Sequence, residues 1–340
     1  MEEKDIYKTI VCPATKDNPR NSEADIIELK NGNLLLAYTH FYAGGPGDFS
    51  PARISGKISE DGGRTWSDSF TIQENIAQQN VMDVSLLRLN SGEITLFYLH
   101  KNSHTDLKLY MRKSFTEGKS WDEAMCVTPR SGYNGINNAR VIQLTSGRLL
   151  VPVYHTPNIK KINHLTSTCF FSDDNGKTWG KSKTELDLPG RGADEPGLVE
   201  LKDGSILMII RTNLGKIYKS YCYDFGFTWT EPEATNLISP DSPATIKRIP
   251  GRGDLIITWN NSLDKRVPLT VAISKDEGKT WQNLKDLESD KRYTYAYASI
   301  TFVEKRVLFT YYISEGIDWT GHWSLKLKIV DIDWLYRISN

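Results

Sequence analysis

Six polar or acidic side chains, most of them able to move protons or form bonds, recur along this chain at a nearly fixed offset from a turn. Counting nine residues back from a turn glycine gives Glu23, Asp83, Asn138 and Glu195. Ser242 and Tyr297 fall at roughly the same place in two later segments whose turns differ in length. Carboxylates in such a set can serve as general acid or base, and a hydroxyl beside one can become a nucleophile. The same residue types can also simply cap strand ends and hold water. Arginines follow a related pattern. Arg211 lies sixteen residues after Glu195 across one hairpin, so both side chains can emerge at one end. Arg266 and Arg20 each precede a strand, and Arg53 and Arg140 occupy comparable entries. Arginines gathered at one place repel unless acidic neighbours or an anion offset them. A guanidinium fork fits a carboxylate bidentately, each charge-assisted bond contributing about 1.5–3 kcal/mol. The set therefore suits a carboxylated ligand. His40, His100 and His155 each stand eight residues after a turn glycine. They could line a sugar pocket, bind a metal or hydrogen-bond strand ends.

Elements that would bring these residues together are visible as repeats. One repeat ends in tryptophan: Ser59-Glu60-Asp61-Gly62-Gly63-Arg64-Thr65-Trp66, then Ser172 to Trp179, then Ser274 to Trp281. Degenerate copies run from Ser114 to Trp121, with Thr116 at the Asp position, and from Cys222 to Trp229. The tryptophans are 55, 58, 50 and 52 residues apart. This S-x-D-x-G-x-T-W pattern is the Asp box, a tight hairpin in which Ser and Asp bond nearby backbone and Gly supplies positive φ. A second repeat, apolar strand–turn–apolar strand, spans 26–38, 86–99, 141–154, 198–210, 246–259 and 300–312. Each is a hairpin, and all but the sixth precede a box. Six four-stranded units predict an all-β, six-bladed β-propeller, a single domain over residues 1–340. The last blade lacks a box, and residues near Ile6–Val11 are expected to complete its outer strand, removing a free sheet edge. The tryptophans belong to the rim and the candidate site to one mouth of the axial channel.

Bulk composition excludes some partners. Lys+Arg and Asp+Glu both number 42, so no net charge points to nucleic acid or a membrane surface. No stretch approaches the ~20 apolar residues of a membrane span. The charged start, Met1-Glu2-Glu3-Lys4-Asp5, leads into no apolar leader. A cytoplasmic location is expected, or a secreted one if a leader has been removed. Cys12, Cys126, Cys169 and Cys222 are scattered without metal-ligand spacing, as expected of free thiols.

Taken together, the boxes and hairpins resemble the sialidase superfamily of BNR-repeat propellers, over almost the whole chain. The segment Asp194-Glu195-Pro196-Gly197, followed by Arg211, is similar to the family's catalytic Glu and second triad arginine. Asp264-Lys265-Arg266 resembles the entry of the third arginine, and Tyr295-Ala296-Tyr297-Ala298-Ser299 the segment bearing the nucleophilic tyrosine, with Tyr297 the better match. The first arginine sits in an Arg-Ile-Pro segment in the family. Here Pro19-Arg20-Asn21 lacks that motif and lies about two residues farther from its turn. The family's acid/base aspartate precedes the first box, which suggests Asp48, with Asp83 competing.

The resemblance implies a retaining exo-glycosidase for a terminal acidic sugar, an exo-α-sialidase acting on sialoglycoconjugates. Tyr297 would attack with Glu195 taking its proton, since a carboxylate nucleophile would be repelled by the substrate's own carboxylate. Arg20, Arg211 and Arg266 would hold that carboxylate, and Asp48 or Asp83 would protonate the leaving oxygen. Glu23, Arg53, Arg140, Asn138 and His155 are further candidates for binding the sugar. No cofactor or metal is required by this scheme. The alternatives are a propeller glycosidase or lyase acting on another uronate- or rhamnose-containing glycan, and a non-catalytic carbohydrate-binding propeller. The sequence gives no oligomeric state.

Overall fold

In the computed structural model, residues 6–316 and 321–337 are described; the charged start, Met1–Asp5, lies outside the described residues. The strands form six antiparallel blades around one axis. Blade one comprises Arg20–Glu28, Leu34–Phe41, Ala52–Ser59 and Phe70–Gln73. Blade two follows with Asn80–Arg88, Ile94–Ser103, Asp106–Ser114 and Met125–Cys126. In blade three the inner strand is reduced to Ile142–Gln143, and the short segment Gly132–Gly135 pairs with the same second strand, Leu149–Thr156. Blades four and five are regular, starting from Asp194–Glu200 and Thr245–Arg248. Blade six takes Tyr293–Val303, Arg306–Glu315 and Trp323–Asp331 from the end of the chain and Ile6–Cys12 from its beginning. The ring is thus closed by the strand expected from the sequence.

Second strands of the blades read as continuous apolar runs because neighbouring blades cover both of their faces. Leu34–Phe41 is buried at every position but His40, and Ile206–Arg211 at all of them. Among the described residues the packing forms one main cluster per blade junction, with a small seventh cluster of Ala296, Tyr312 and Trp323 within blade six. Leu327 and Ile329 meet Leu34 and Leu36 between blades six and one. Leu35 meets Leu86 and Leu96 at the next junction, and equivalent clusters fill the remaining four. Each fully buried aliphatic side chain contributes about 1.5–3 kcal/mol.

The Asp boxes staple each blade to the one before it. In the third copy of the hairpin, Asp174 Oδ1 accepts from Thr178 N at 2.9 Å and Oδ2 from Thr178 Oγ1 at 2.6 Å. Ser172 Oγ accepts from Gly176 N at 2.7 Å, and Trp179 Nε1 donates to Gly176 O at 3.1 Å. Gly176 has φ +85°, and a Cβ there would stand 2.5 Å from Met111 Cε of blade two. Only glycine lets the turn lie flat on its neighbour. Blade six has no box. Its place at the junction with blade five is taken by the short helix Ile332–Tyr336, capped by Asp331, whose Ile332 and Leu335 enter that cluster.

The hairpin boundaries read from the sequence fall short at the axis. Inner strands begin earlier, at Arg20, Asn80, Asp194 and Tyr293, and each carries a β-bulge. The apolar pattern stops at the bulge, which is why it concealed the first half of each strand.

Candidate active site

Those bulges aim the chemistry. At each one the ladder skips, between Ser22 and Asp25, Met82 and Ser85, Asp194 and Gly197, and Ala296 and Ser299. A residue with positive φ sits in each skip: Glu23 at 44°, Asp83 at 56°, Glu195 at 37° and Tyr297 at 54°. Such conformations cost on the order of 1–3 kcal/mol each in a residue with a Cβ. A bulge redirects one side chain out of the alternating pattern, and here four blades use it to crowd polar groups together. In blade three the positive-φ residue is Ala139, one position beyond the expected Asn138. Asn138 instead braces the backbone, donating from Nδ2 to Ala24 O at 2.7 Å and Tyr297 O at 3.2 Å. Ser242, the blade-five counterpart, is buried and bonds Asn260.

Tyr297 and Glu195 meet across the axis, the phenol donating to Glu195 Oε1 at 3.4 Å. Glu195 Oε2 accepts from Arg211 Nη1 at 2.7 Å and from Asn137 Nδ2 at 3.4 Å. Arg266 lies beside them, its guanidinium 5.6 Å from the Tyr297 ring centre and its Nη1 3.2 Å from Tyr312 Oη. Arg211 and Arg266 both direct Nη2 at the Asp241 carbonyl, at 3.1 and 3.2 Å. Arg20 belongs to the same mouth despite its missing motif. Its guanidinium is sandwiched between Trp323 at 4.2 Å and Phe41 at 4.5 Å, and Trp323 stacks on Tyr312 at 4.3 Å. Arg20 pairs with Glu23 and donates from Nη1 to Asp48 Oδ1 at 2.6 Å.

Charge compensation sets the protonation states. Burial pushes the Tyr297 phenol up, and the neighbouring Glu195 charge adds to this, so the phenol is neutral. Against partial desolvation, Arg20 and Lys101 bring Asp48 down to about 2. Its side chain is 56% exposed, with Oδ1 held by Arg20. Asp83 is the reverse case. It is buried and held well above the usual carboxylate range by burial and by Glu23, against the pull of Lys101. Lys101 is itself buried, lowered by that burial, and donates to Asp48 O at 2.7 Å. Asp194 is raised to about 6 by burial and by Glu195.

Two cavities open at this mouth. The smaller, about 190 Å³, is lined by Asp48, Tyr133, Tyr154, Glu195, Arg211 and Tyr297 among others. The larger, about 390 Å³, lies on the other side of Arg191 and Arg211 and takes in Asp241, Arg266, Tyr312 and Trp323.

Three of the remaining candidates lie elsewhere. Arg140 is not at the mouth; it is buried in the channel, donating from Nη1 to Thr245 Oγ1 at 2.8 Å, and burial lowers it to about 10. Arg53 faces a side of blade one, paired in register with His40 and 5.6 Å from the Tyr42 ring centre. His155 lines neither cavity; its Nδ1 bonds Asn134 Oδ1 at 2.9 Å, and burial lowers it to about 4. His40 bonds Ser55 Oγ at 2.9 Å, and His100 packs on Tyr110. The three histidines occupy equal places on successive second strands and so stay a blade apart. Among the described residues no group of three His, Cys, Asp or Glu side chains could hold a metal ion. Others at the mouth were not anticipated. Asp241 accepts from Arg211 Nε at 2.6 Å and Arg191 Nη1 at 2.9 Å. Arg191 follows Gly190 just before Asp194-Glu195, and Asp241 precedes the blade-five inner strand. That placement, before an inner strand, was the available signal for both.

Comparison with known proteins agrees with this fold. The family model described as a BNR repeat-like domain matches residues 54–308. A sialidase of Bacteroides fragilis (strain YCH46) is 25% identical over 89% of this chain, which spans 61% of that relative's length. Among solved structures, a Dyadobacter fermentans protein of unknown function superposes with TM-score 0.80 at 20% identity, covering 97% of this chain and all of that one. The NanB sialidase from Streptococcus pneumoniae gives 0.78 at 17% identity, over 96% of this chain and 70% of its own. With the Asp boxes, the six blades and the family match in hand, the chain belongs to the BNR repeat-like family, within the sialidase superfamily of propellers.

Proposed function

We propose that this protein is a retaining exo-α-sialidase, removing a terminal carboxylated sugar from a glycan. The observation that carries the reading is the Tyr297–Glu195 pair, 3.4 Å apart and flanked by Arg211. A neutral phenol can approach an anomeric carbon bearing a carboxylate, where a carboxylate nucleophile would be repelled. Glu195 takes the phenol proton as the bond to the anomeric carbon forms and the bond to the leaving oxygen breaks. Water then displaces the tyrosyl link, with net retention. Arg211 and Arg266 grip the substrate carboxylate from one side and Arg20 from the other. Asp48 serves as acid and base, because it lines the cavity with Tyr297 while Asp83 is buried beneath. In the free protein Asp48 is ionised against Arg20. When the substrate carboxylate takes over Arg20, that restraint is relieved and Asp48 can carry the proton.

An aryl α-sialoside tests the reading directly. Release of the aryl alcohol with the α-anomer as first product, followed by proton NMR, is expected. Inertness toward sialosides with turnover of an aryl uronide or rhamnoside would replace it with the other glycosidase reading.

A further inference from the structure

Asp48 stands in a loop that its own sequence does little to fix. Residues 42–51 join the second and third strands of blade one without strand or helix, and Gly44, Gly45 and Gly47 come just before the aspartate. Glycine has the widest backbone freedom of any residue, so such a loop needs anchors from elsewhere. One is Arg20, which donates from Nη1 to Pro46 O at 2.9 Å and to Asp48 Oδ1 at 2.6 Å. The other comes from blade two. Asn80 and Lys101 are register partners on its first two strands, so their side chains lie on one face. Both donate to the main-chain oxygen of Asp48, Lys101 Nζ at 2.7 Å and Asn80 Nδ2 at 2.8 Å. Asn80 Nδ2 also reaches Ser50 O at 2.8 Å.

A lysine is a costly way to make that bond. Lys101 is 1% exposed, and its hydrogen-bond partners are the Asp48 carbonyl and, at 3.0 Å, Met82 Sδ, neither of them charged. The ammonium also faces the Phe49 ring, 4.8 Å from its centre. Taking an ammonium out of water destabilises a fold unless it is fully paired. A methionine would fill the same slot without that cost, but it could not hold a carbonyl. Under the proposed function the substrate carboxylate takes over Arg20, and Asp48 Oδ1 is released. The main-chain hold from blade two stays in place at that moment. We propose that Lys101 is a positioning residue for Asp48: it fixes the aspartate's main chain, so that the carboxyl stays at the leaving oxygen after Arg20 has turned to the substrate. This rests on the sialidase reading, and the motion of the loop gives a readout independent of it.

The test replaces Lys101 by methionine, which fills the slot and removes the donor. K101M should lower kcat on an alkyl-linked sialoside about 10- to 100-fold with KM within about threefold, since misplacing a catalytic group by about 1 Å costs up to about 100-fold. A nitrophenyl sialoside, which needs little protonation, should slow less than about fivefold. In a D48N background K101M should add less than about twofold to the alkyl defect, because both changes act on one group. Amide hydrogen exchange in residues 42–51 should quicken about 10-fold or more in K101M, while the inner strand Asp194–Glu200 keeps its protection. An equal fall on both substrates, a loss that multiplies with that of D48N, or unchanged exchange overturns the proposal. Should K101M not fold, K101Q, which is shorter than lysine and keeps a polar end, is read in the same way. If the wild-type protein turns over no sialoside, the function proposed above fails. Exchange at 42–51 then decides the role of Lys101 by itself: quickening supports its hold on the loop, and no change rejects it.

Discussion

Tyr297 and Glu195 are separable from stability, because their strained backbone conformations are held by the bulges and not by their side chains. Tyr297→Phe and Glu195→Gln should each abolish most turnover of an aryl sialoside, while thermal melting shifts by no more than about 2 °C. A large fall in melting temperature would mark the pair as structural. Asp48 offers a sharper test of role. Asp48→Asn should slow an alkyl-linked sialoside on the order of 100-fold or more, yet a nitrophenyl sialoside less than about 10-fold, since a good leaving group needs little protonation. Asp241 gives a pH signature. Although burial opposes it, Arg211 and Arg191 hold Asp241 down to about 2, below its unfolded value near 4. It therefore contributes stability that is fully present above about pH 4 and disappears as pH falls through 2. Asp241→Asn should lower the melting temperature clearly at pH 6 and much less at pH 2.5. The Tyr297–Glu195 pair was legible in the sequence because Glu195 stands nine residues before a turn glycine and Tyr297 at roughly the same place in its own segment. Arg191, Asp241 and Lys101 were not, since their importance comes from charge neighbours contributed by other segments.

At the scale of elements, the boxes explain why the blade count could be read and where the reading stopped. A box is a local hydrogen-bond set, so its sequence is nearly its structure. In the degenerate copy of blade two, Thr116 Oγ1 accepts from Ser120 N at 2.9 Å but has no second oxygen to offer. Thr116→Asp should restore the missing acceptor and stabilise the protein by about 0.5–1.5 kcal/mol, measured by chemical denaturation. Trp179, half-buried and edge-on to Phe97 with centroids 6.1 Å apart, should cost about 2–4 kcal/mol when replaced by alanine. The helix Ile332–Tyr336 was invisible to pattern reading, because five residues are too few to display a period. The structure gives it the work of the absent sixth box. The inner strands were half-read for the opposite reason: polar residues facing the channel interrupt the apolar alternation there.

For the molecule as a whole, stability depends on both ends of the chain meeting in blade six. Ile6–Cys12 runs antiparallel to Trp323–Asp331, with Tyr7 Oη reaching Arg64 O at 2.6 Å in the neighbouring blade. Removing residues 332–340 should uncover the junction of blades five and six and lower the melting temperature by about 5–10 °C. The mouth that holds Tyr297 and Glu195 would be left intact, so under the proposed function residual turnover at low temperature is the expected control. The same seam has a bearing on how the protein is made. Ala14 N and its partner Ser324 Oγ are 310 residues apart. At about 5–20 residues per second, a ribosome emits the first strand roughly 15–60 s before its mate. Through that interval blades one to five can dock in order as they emerge, while Ile6–Cys12 waits with its edge unpaired. A cell making this chain therefore holds the strand Ile6–Cys12 unpartnered until Trp323–Asp331 has been made, and chaperone demand should fall in a circular permutant that carries that strand directly after Trp323–Asp331.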